Sequence, residues 1–449
     1  MPGGKIVILD GAGSGDQDLS PVLDVLREVL EADGAGIETF TLRDIKLAHC
    51  LGCFNCWIKT PGICVEADAG REIAKAVIQA DVAVLFTPVT FGGYSPELKK
   101  ALDRFVQLVS PFFAMDHGEV HHPPRYGRRP RLVTVGVQRH ANPYEAHIFK
   151  TLAGRNAINI HPPSYAAEVV LATDSADRLR AQFAALVNRS DELPYGEAAA
   201  SLMPAPVVAA RVAEPPTARR ALLIVGSSKV NEPSTSAALG GYLLDRLQAS
   251  GWETESLTLR ASVNRPEGEG ELLAAVERAA LVLMAFPLYV DTLPHLATKA
   301  LTVMAAHRLA NPSPAAKRFV AIVNSGFPET FQNAAALAIC REFAAQSGFN
   351  WDGGLALGGG GAVGGQPLTE AKRPGPPVQH IVKALDMTAA ALAEGMPVPA
   401  EAMRLFAKSP MASAVWRRLY MWLAERSFAQ TAANNGVSKE QLAAQPYAA

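Results

Sequence analysis

Apolar residues along this chain fall into short continuous runs, each followed by a loop of small or turn-forming residues and then by a helical pattern. Lys5-Ile6-Val7-Ile8-Leu9 is the first such run. After a Gly- and Asp-rich loop from Asp10 to Ser20, Val22, Val25, Leu26, Val29 and Leu30 mark one face of a helix predicted over Pro21 to about Glu31. Ser20 followed by Pro21 is suitable chemistry for that helix start. The pattern continues with an amphipathic strand over Ile37-Leu42, a helix around Arg71-Gln79 and a buried strand over Val82-Phe86. A helix over Glu97-Arg104 and strands over Arg131-Val137 and near Ala166-Val170 follow. Continuously apolar strands alternating with helices predict a parallel sheet covered on both faces.

The same order then restarts. Arg220-Val225, Thr254-Leu259, Leu281-Phe286 and Phe319-Val323 read as strands, with helices near Thr235-Ser250 and from His295 onward. The correspondence is sharpest after the third strand: Val82-Phe86 runs into Thr87-Pro96, and Leu281-Phe286 runs into Pro287-Pro294. A repeat at a spacing of about 200 residues predicts two domains of one fold, and 449 residues exceed what a single core usually serves. The predicted division is a first domain over 1–190, an Ala/Pro-rich linker over 191–218, a second domain over 219–375 and a helical extension over 376–449. Within the extension, Val415, Trp416, Leu419, Tyr420 and Leu423 share a helical face, expected to pack on its own domain or a dimer mate.

Composition adds exclusions. Net charge is −1 and no Lys/Arg block is interleaved with aromatics, which speaks against nucleic acid as a partner. No apolar run is long enough to span a bilayer, so a cytoplasmic location is expected. Four of the five cysteines, Cys50, Cys53, Cys56 and Cys64, fall within fifteen residues, which points to a metal or redox site rather than a disulfide framework. Cys340 reads as a buried core thiol.

The loops at the carboxyl ends of the strands are the predicted ligand sites. In the second copy, Ser227, Ser228, Lys229, Ser234, Thr235 and Ser236 offer hydroxyls, amides and a cation at a helix start, a natural phosphate cradle. The corresponding loop of the first copy carries Asp10, Asp16 and Asp18, carboxylates that would repel a phosphate unless they point away or hold a cation. Pro88, Thr90, Phe91, Gly92, Gly93 and Tyr94 in the first copy, and Pro287, Leu288, Tyr289 and Val290 in the second, offer flat apolar surface with backbone donors. Asn324, Ser325 and Gly326 form the third loop of the second copy, while the counterpart Gly136-Val137-Gln138-Arg139 is less distinctive. Asp116, His117, Glu119, His121 and His122 make a minor metal candidate.

These motifs carry a resemblance. The first half, through Cys50-Cys64 and Pro88-Arg104, resembles the iron-sulfur flavoproteins. The second half, through Gly226-Ser236, Pro287-Pro294 and Asn324-Gly326, resembles the NAD(P)H-dependent FMN reductases. The implied fold is two flavodoxin-like doubly wound five-stranded parallel sheets in tandem. Resemblance further implies FMN, reduced by a nicotinamide through hydride transfer to flavin N5, with electrons passed on to a quinone, a free flavin or an iron-sulfur acceptor. It also implies that Cys50, Cys53, Cys56 and Cys64 ligate a four-iron four-sulfur cluster; metal-free thiols stay open beside that reading. Flavin is expected in the second domain and left open for the first. The halves are expected to form an internal pseudo-dimer, or the chain a homodimer. The alternatives are a non-enzymatic electron carrier and a cofactor-free binding module.

Overall fold

In the computed structural model, residues 4–32, 34–207, 219–229, 234–263, 265–312, 317–368, 378–409 and 414–448 are described. The chain divides into two compact units: Met1–Ala198 with Arg418–Ala449, and Ala199–Arg417. Part of the expected linker, residues 208–218, and the start of the expected extension, residues 376–377, lie outside the described residues.

The first unit holds β1 (Lys5–Asp10), β2 (Gly36–Thr41), β3 (Val82–Pro88), the short β4 (Ala114–Asp116) and β5 (Glu119–His121), β6 (Arg131–Gln138) and β7 (Tyr165–Leu171). Five strands form a parallel sheet in the order β2-β1-β3-β6-β7, and β4 and β5 make a separate antiparallel pair. The order reverses beside β1, which opens the ligand crevice of a flavodoxin-like sheet there. Ile6, Ile8, Val84, Phe86, Val133 and Val135 are buried under the helices Ser20–Glu31 and Ala176–Asn188, through Leu23, Leu26, Leu179 and Phe183. Edge strand β2 alternates between exposed and half-buried positions over Gly36–Thr39, as an amphipathic strand does, and stays half-buried through Thr41.

The second unit repeats the sheet with β8 (Arg220–Val225), β9 (Glu253–Thr258), β10 (Leu281–Pro287), β11 (Lys317–Asn324) and β12 (Phe349–Leu357), in the order β12-β11-β10-β8-β9. One face of its core joins Leu223, Leu283, Ile322 and Leu355 to the helices Thr235–Ala249 and Gln379–Ala393, through Leu239, Leu243, Ile381 and Leu385. Two flavodoxin-like five-stranded parallel sheets are thus present.

The C-terminal region does not stay one body. Its helix Ala414–Asn434 crosses the division between the units at Arg417. From Arg418 onward the chain packs on the first unit, where Ala432, Val437 and Leu442 form a small core with Ile58 and Phe112. Tyr420, expected on one apolar stripe with its neighbours, instead meets Phe113 at 5.9 Å, while Val415, Trp416, Leu419, Trp422 and Leu423 stay exposed. Among the described residues no helix is long and apolar enough to cross a membrane.

Candidate functional site

Both units fold their β-to-α loops alike. The Gly11 amide donates to Phe86 O at 2.8 Å, and the Gly226 amide donates to Ala285 O at 2.8 Å. Neither glycine has room for a side chain: a Cβ would come within 2.6 Å of Leu98 Cβ in one case and 2.7 Å of Phe286 Cβ in the other. After the third strand each unit makes the same tight turn, with Thr90 N to Gly93 O at 2.9 Å and Tyr289 N to Thr292 O at 2.9 Å. Phe91 and Gly92, like Val290 and Asp291, take positive φ at its tip. Thr90 is half-buried, whereas Phe91, Gly92, Gly93 and Tyr94 are buried. Tyr94 turns into the core against Phe149, so the aromatic surface read from the first copy faces inward. In the second copy Pro287, Leu288, Tyr289 and Val290 remain half-exposed.

Asn324 brings the second unit's loops together. Its Nδ2 donates to Ser236 Oγ at 2.8 Å and to Phe286 O at 3.1 Å, and its carbonyl accepts the Leu288 amide at 2.8 Å. Asn324 therefore ties the start of the helix Thr235–Ala249 and the end of β10 through its side chain, and the ring-type loop through its backbone carbonyl. The register puts Val137 at the equivalent place in the first unit, where it accepts the Val89 amide at 2.9 Å but has no polar side chain to continue. Around Asn324, Ser234 caps the following helix through the Ala237 amide, Thr235 donates to Gly360 O at 3.2 Å, and Ser227 and Ser228 are buried. Lys229 donates its amide to Ser227 Oγ at 3.4 Å. Ser325 donates to Phe327 O, and a Cβ on Gly326 would meet no atom within 4 Å, which leaves open space at that loop. Residues 230–233 of the phosphate-type loop lie outside the described residues.

The first unit's corresponding loop is occupied by its own carboxylates. Asp10 Oδ1 accepts the Ala12 amide at 3.0 Å, and Asp16 Oδ2 accepts the Gly13 amide at 2.7 Å. Arg139, at the end of β6, donates to Asp16 Oδ1 at 2.7 Å and to both oxygens of Asp18 at 2.8 and 2.9 Å. The hydrogen bond from Arg139 holds the Asp18 carboxyl below its ordinary range despite slight burial. Arg139 sits in the loop that the sequence left undistinguished.

The cysteine segment is framed by a buried guanidinium. Arg104 donates to both Asp68 oxygens at 2.9 and 3.0 Å and to Ala48 O at 2.9 Å, joining the two ends of the segment. Asp68 in turn accepts the Ala48 and Gly70 amides. Trp57 anchors the middle: it is 2% exposed, donates Nε1 to Val106 O at 2.9 Å and stacks on Phe54 at 4.9 Å. Burial pushes the Cys50 thiol up to about 12, with further upward pressure from Asp103, Cys64 and Cys53. Cys56 is raised by burial and then by Cys50, Cys64 and Cys53. The Gly52 amide donates to Cys50 Sγ at 3.5 Å. Among the described residues no three His, Cys, Asp or Glu side chains are arranged to hold a single metal ion.

The C-terminal tail lies over this segment. Arg125 donates to Leu442 O at 2.8 Å and Ala444 O at 2.9 Å, while Gln107 Oε1 accepts both the Cys64 amide at 3.0 Å and the Tyr447 hydroxyl at 3.3 Å. A Cβ on Gly62 would stand 2.6 Å from Pro446, a measure of how closely the tail approaches. Deleting residues 437–449 is therefore expected to accelerate alkylation of Cys56 and Cys64 by about tenfold, as local opening becomes easier. Unchanged rates in a timed thiol-labelling assay would show that the tail does not shield them.

The histidine excursion is structural. Glu119 and His121 are buried and paired at 3.0 Å, Arg155 joins Glu119 at 2.6 Å, and His122 Nδ1 meets Phe112 O at 2.8 Å. His117 stacks on Tyr195 instead of joining the other rings.

Comparison with known proteins agrees with this geometry at the level of the first unit. Residues 5–170 match the family described as NADPH-dependent FMN reductase. An iron-sulfur flavoprotein of Methanocaldococcus jannaschii is 40% identical over 83 residues, 18% of this chain and 42% of that protein. One of Archaeoglobus fulgidus is 30% identical over 87 residues, 19% of this chain and 39% of that protein. The chain thus spans less than half the length of these two relatives. Among solved structures, an NAD(P)H:quinone oxidoreductase from Methanothermobacter marburgensis aligns with 42% of this chain and 99% of its own, at 14% identity and a TM-score of 0.34. The first unit is accordingly similar to the NADPH-dependent FMN reductases and the iron-sulfur flavoproteins, and the second unit's likeness rests on its own loops.

Proposed function

We propose that this chain is an FMN-dependent NAD(P)H oxidoreductase, with FMN held by the second unit and electrons passing from a nicotinamide to a quinone, a free flavin or an iron-sulfur acceptor. The observation that carries the reading is Asn324, whose side chain and backbone carbonyl together join the regions that would hold phosphate and ring. The donor set there suits FMN. Ser227, Ser228, Lys229 and the start of the helix Thr235–Ala249 would take the phosphate, with no carboxylate among the loop's described residues. Leu288, Tyr289 and Val290 would wall the ring, and Gly326 leaves space beside it. FMN supplies the exchange between two-electron nicotinamide chemistry and one-electron acceptors.

Cys50, Cys53, Cys56 and Cys64 would hold a four-iron four-sulfur cluster in the first unit. Two buried thiols, Cys50 and Cys56, within reach of Cys53 and Cys64, and an amide directed at Cys50 suit a cluster, which separates its ligand sulfurs more widely than one ion does. Binding would release the protons that burial keeps on Cys50 and Cys56. This cysteine set also favours a second reading, an electron carrier without its own substrate. Steady-state NADH and NADPH oxidation by the FMN-loaded chain separates the two.

The test is Ser228→Asp, which puts a carboxylate into the second cradle. FMN affinity and NAD(P)H oxidation are expected to fall together, by at least about a hundredfold in affinity for a charge aimed at a phosphate. Retained FMN binding in a folded variant would remove the flavin from this unit.

A further inference from the structure

The two cradles open on the same glycine amide bond and differ in the side chains that follow it. In the second unit the loop presents hydroxyls and Lys229; in the first its amides are already taken. Ala12 N is held by Asp10 and Gly13 N by Asp16, and the nearby cation, Arg139, is spent on Asp16 and Asp18. Ser14, Gly15, Asp16, Gln17, Asp18 and Arg139 line one open depression. A carboxylate that accepts a loop amide while an arginine grips its other oxygen has the hydrogen bonding of a bound phosphate.

We propose that Asp16, locked by Arg139 and backed by Asp18, stands in for a ligand phosphate and closes the first unit to FMN, although this unit matches the FMN reductase family. Asp16 and Asp18 are thus specificity-determining residues: they set which unit takes a phosphorylated flavin. Asp10, 3% exposed and held by Arg43 at 3.1 Å, reinforces the exclusion by occupying the Ala12 amide. An incoming phosphate would have to displace two carboxylates from Arg139 and one from Gly13 while facing their charge. The exclusion stands on the first unit alone; the corollary of about one FMN per chain rests on the reading of the second unit.

The prediction is a gain of binding. Flavin-free full-length protein is titrated with FMN, and bound flavin is counted by equilibrium dialysis for wild type, R139Q, D16S/D18N, D16S/D18N/R139Q and D16S/D18N/S228D. Wild type should bind about one FMN per chain, with affinity unchanged by R139Q alone. D16S/D18N should bind about two, and adding R139Q should weaken the new site by about tenfold or more, because the freed guanidinium becomes its phosphate ligand. D16S/D18N/S228D should return to about one.

Two outcomes overturn the proposal. One is wild-type FMN binding that R139Q weakens tenfold, since Arg139 would then already serve a phosphate. The other is no added FMN in D16S/D18N whose near-ultraviolet dichroism and melting match wild type. If wild type binds no FMN and D16S/D18N binds one, the second unit's flavin is lost and the exclusion in the first survives.

Discussion

Arg104→Ala is expected to lower the stability of the first unit by roughly 3–5 kcal/mol, the usual cost of removing one partner from a buried ion pair. Arg104 is 2% exposed, and its guanidinium holds Asp68 with two bonds and the Ala48 carbonyl with a third. The variant leaves a carboxylate without this counter-charge and releases both ends of the segment that carries Cys50 to Cys64. Loss of cysteine geometry should accompany the loss of stability, so anaerobic iron and sulfide content ought to fall with the melting temperature. Arg104→Lys should recover only part of either, because an ammonium cannot reproduce the planar fork that meets both Asp68 oxygens. A variant that melts as wild type does and retains its iron would show that the clamp is dispensable.

The central strands were legible because each is a continuous apolar run buried on both faces, whereas β12, whose apolar pattern is broken by Asn350, Asp352, Gly353 and Gly354, was not read as a strand. Alternation of the strands with helices indicated a parallel sheet covered on both faces. What escaped the sequence was pairing across long separations. Arg139 meets Asp18 across 121 positions, and neither residue type announces that it will close a cradle. Tyr447 reaches Gln107 across 340 positions, so the expected helical extension is present and its tail ends against the cysteine segment.

Exposure was equally hard to read. Phe91 and Tyr94 have the composition of a ring-binding surface, but the volume behind β3 is filled by Tyr94 packing on Phe149, and side chains in the core are set by such volumes. Asn324 was singled out from its place after a strand, whereas its bonds to Ser236 and Phe286 O depend on the register of β10 and β11. Sequence position located the loops, and tertiary register decided which of them face solvent.

Glu119→Ala is expected to be similarly damaging, again roughly 3–5 kcal/mol, and it carries a second signature in pH. Glu119 accepts from Arg155 at 2.6 Å, from the Gly196 amide at 2.6 Å and pairs with His121 at 3.0 Å, all within a buried network. Burial alone would push its carboxyl up; the His121 hydrogen bond, the Arg155 charge and the Gly196 amide outweigh that and hold it below its ordinary 4.5. A carboxyl depressed in the folded state binds fewer protons there than when unfolded. Its stabilisation is therefore complete above pH 4.5 and drains away as pH falls through the lower folded value. Wild-type unfolding free energy should drop over that acid window, and Glu119→Ala should flatten the drop while lowering the plateau above it. Denaturant unfolding at several pH values checks both; a variant with the wild-type slope below pH 4.5 would assign the acid sensitivity to other groups.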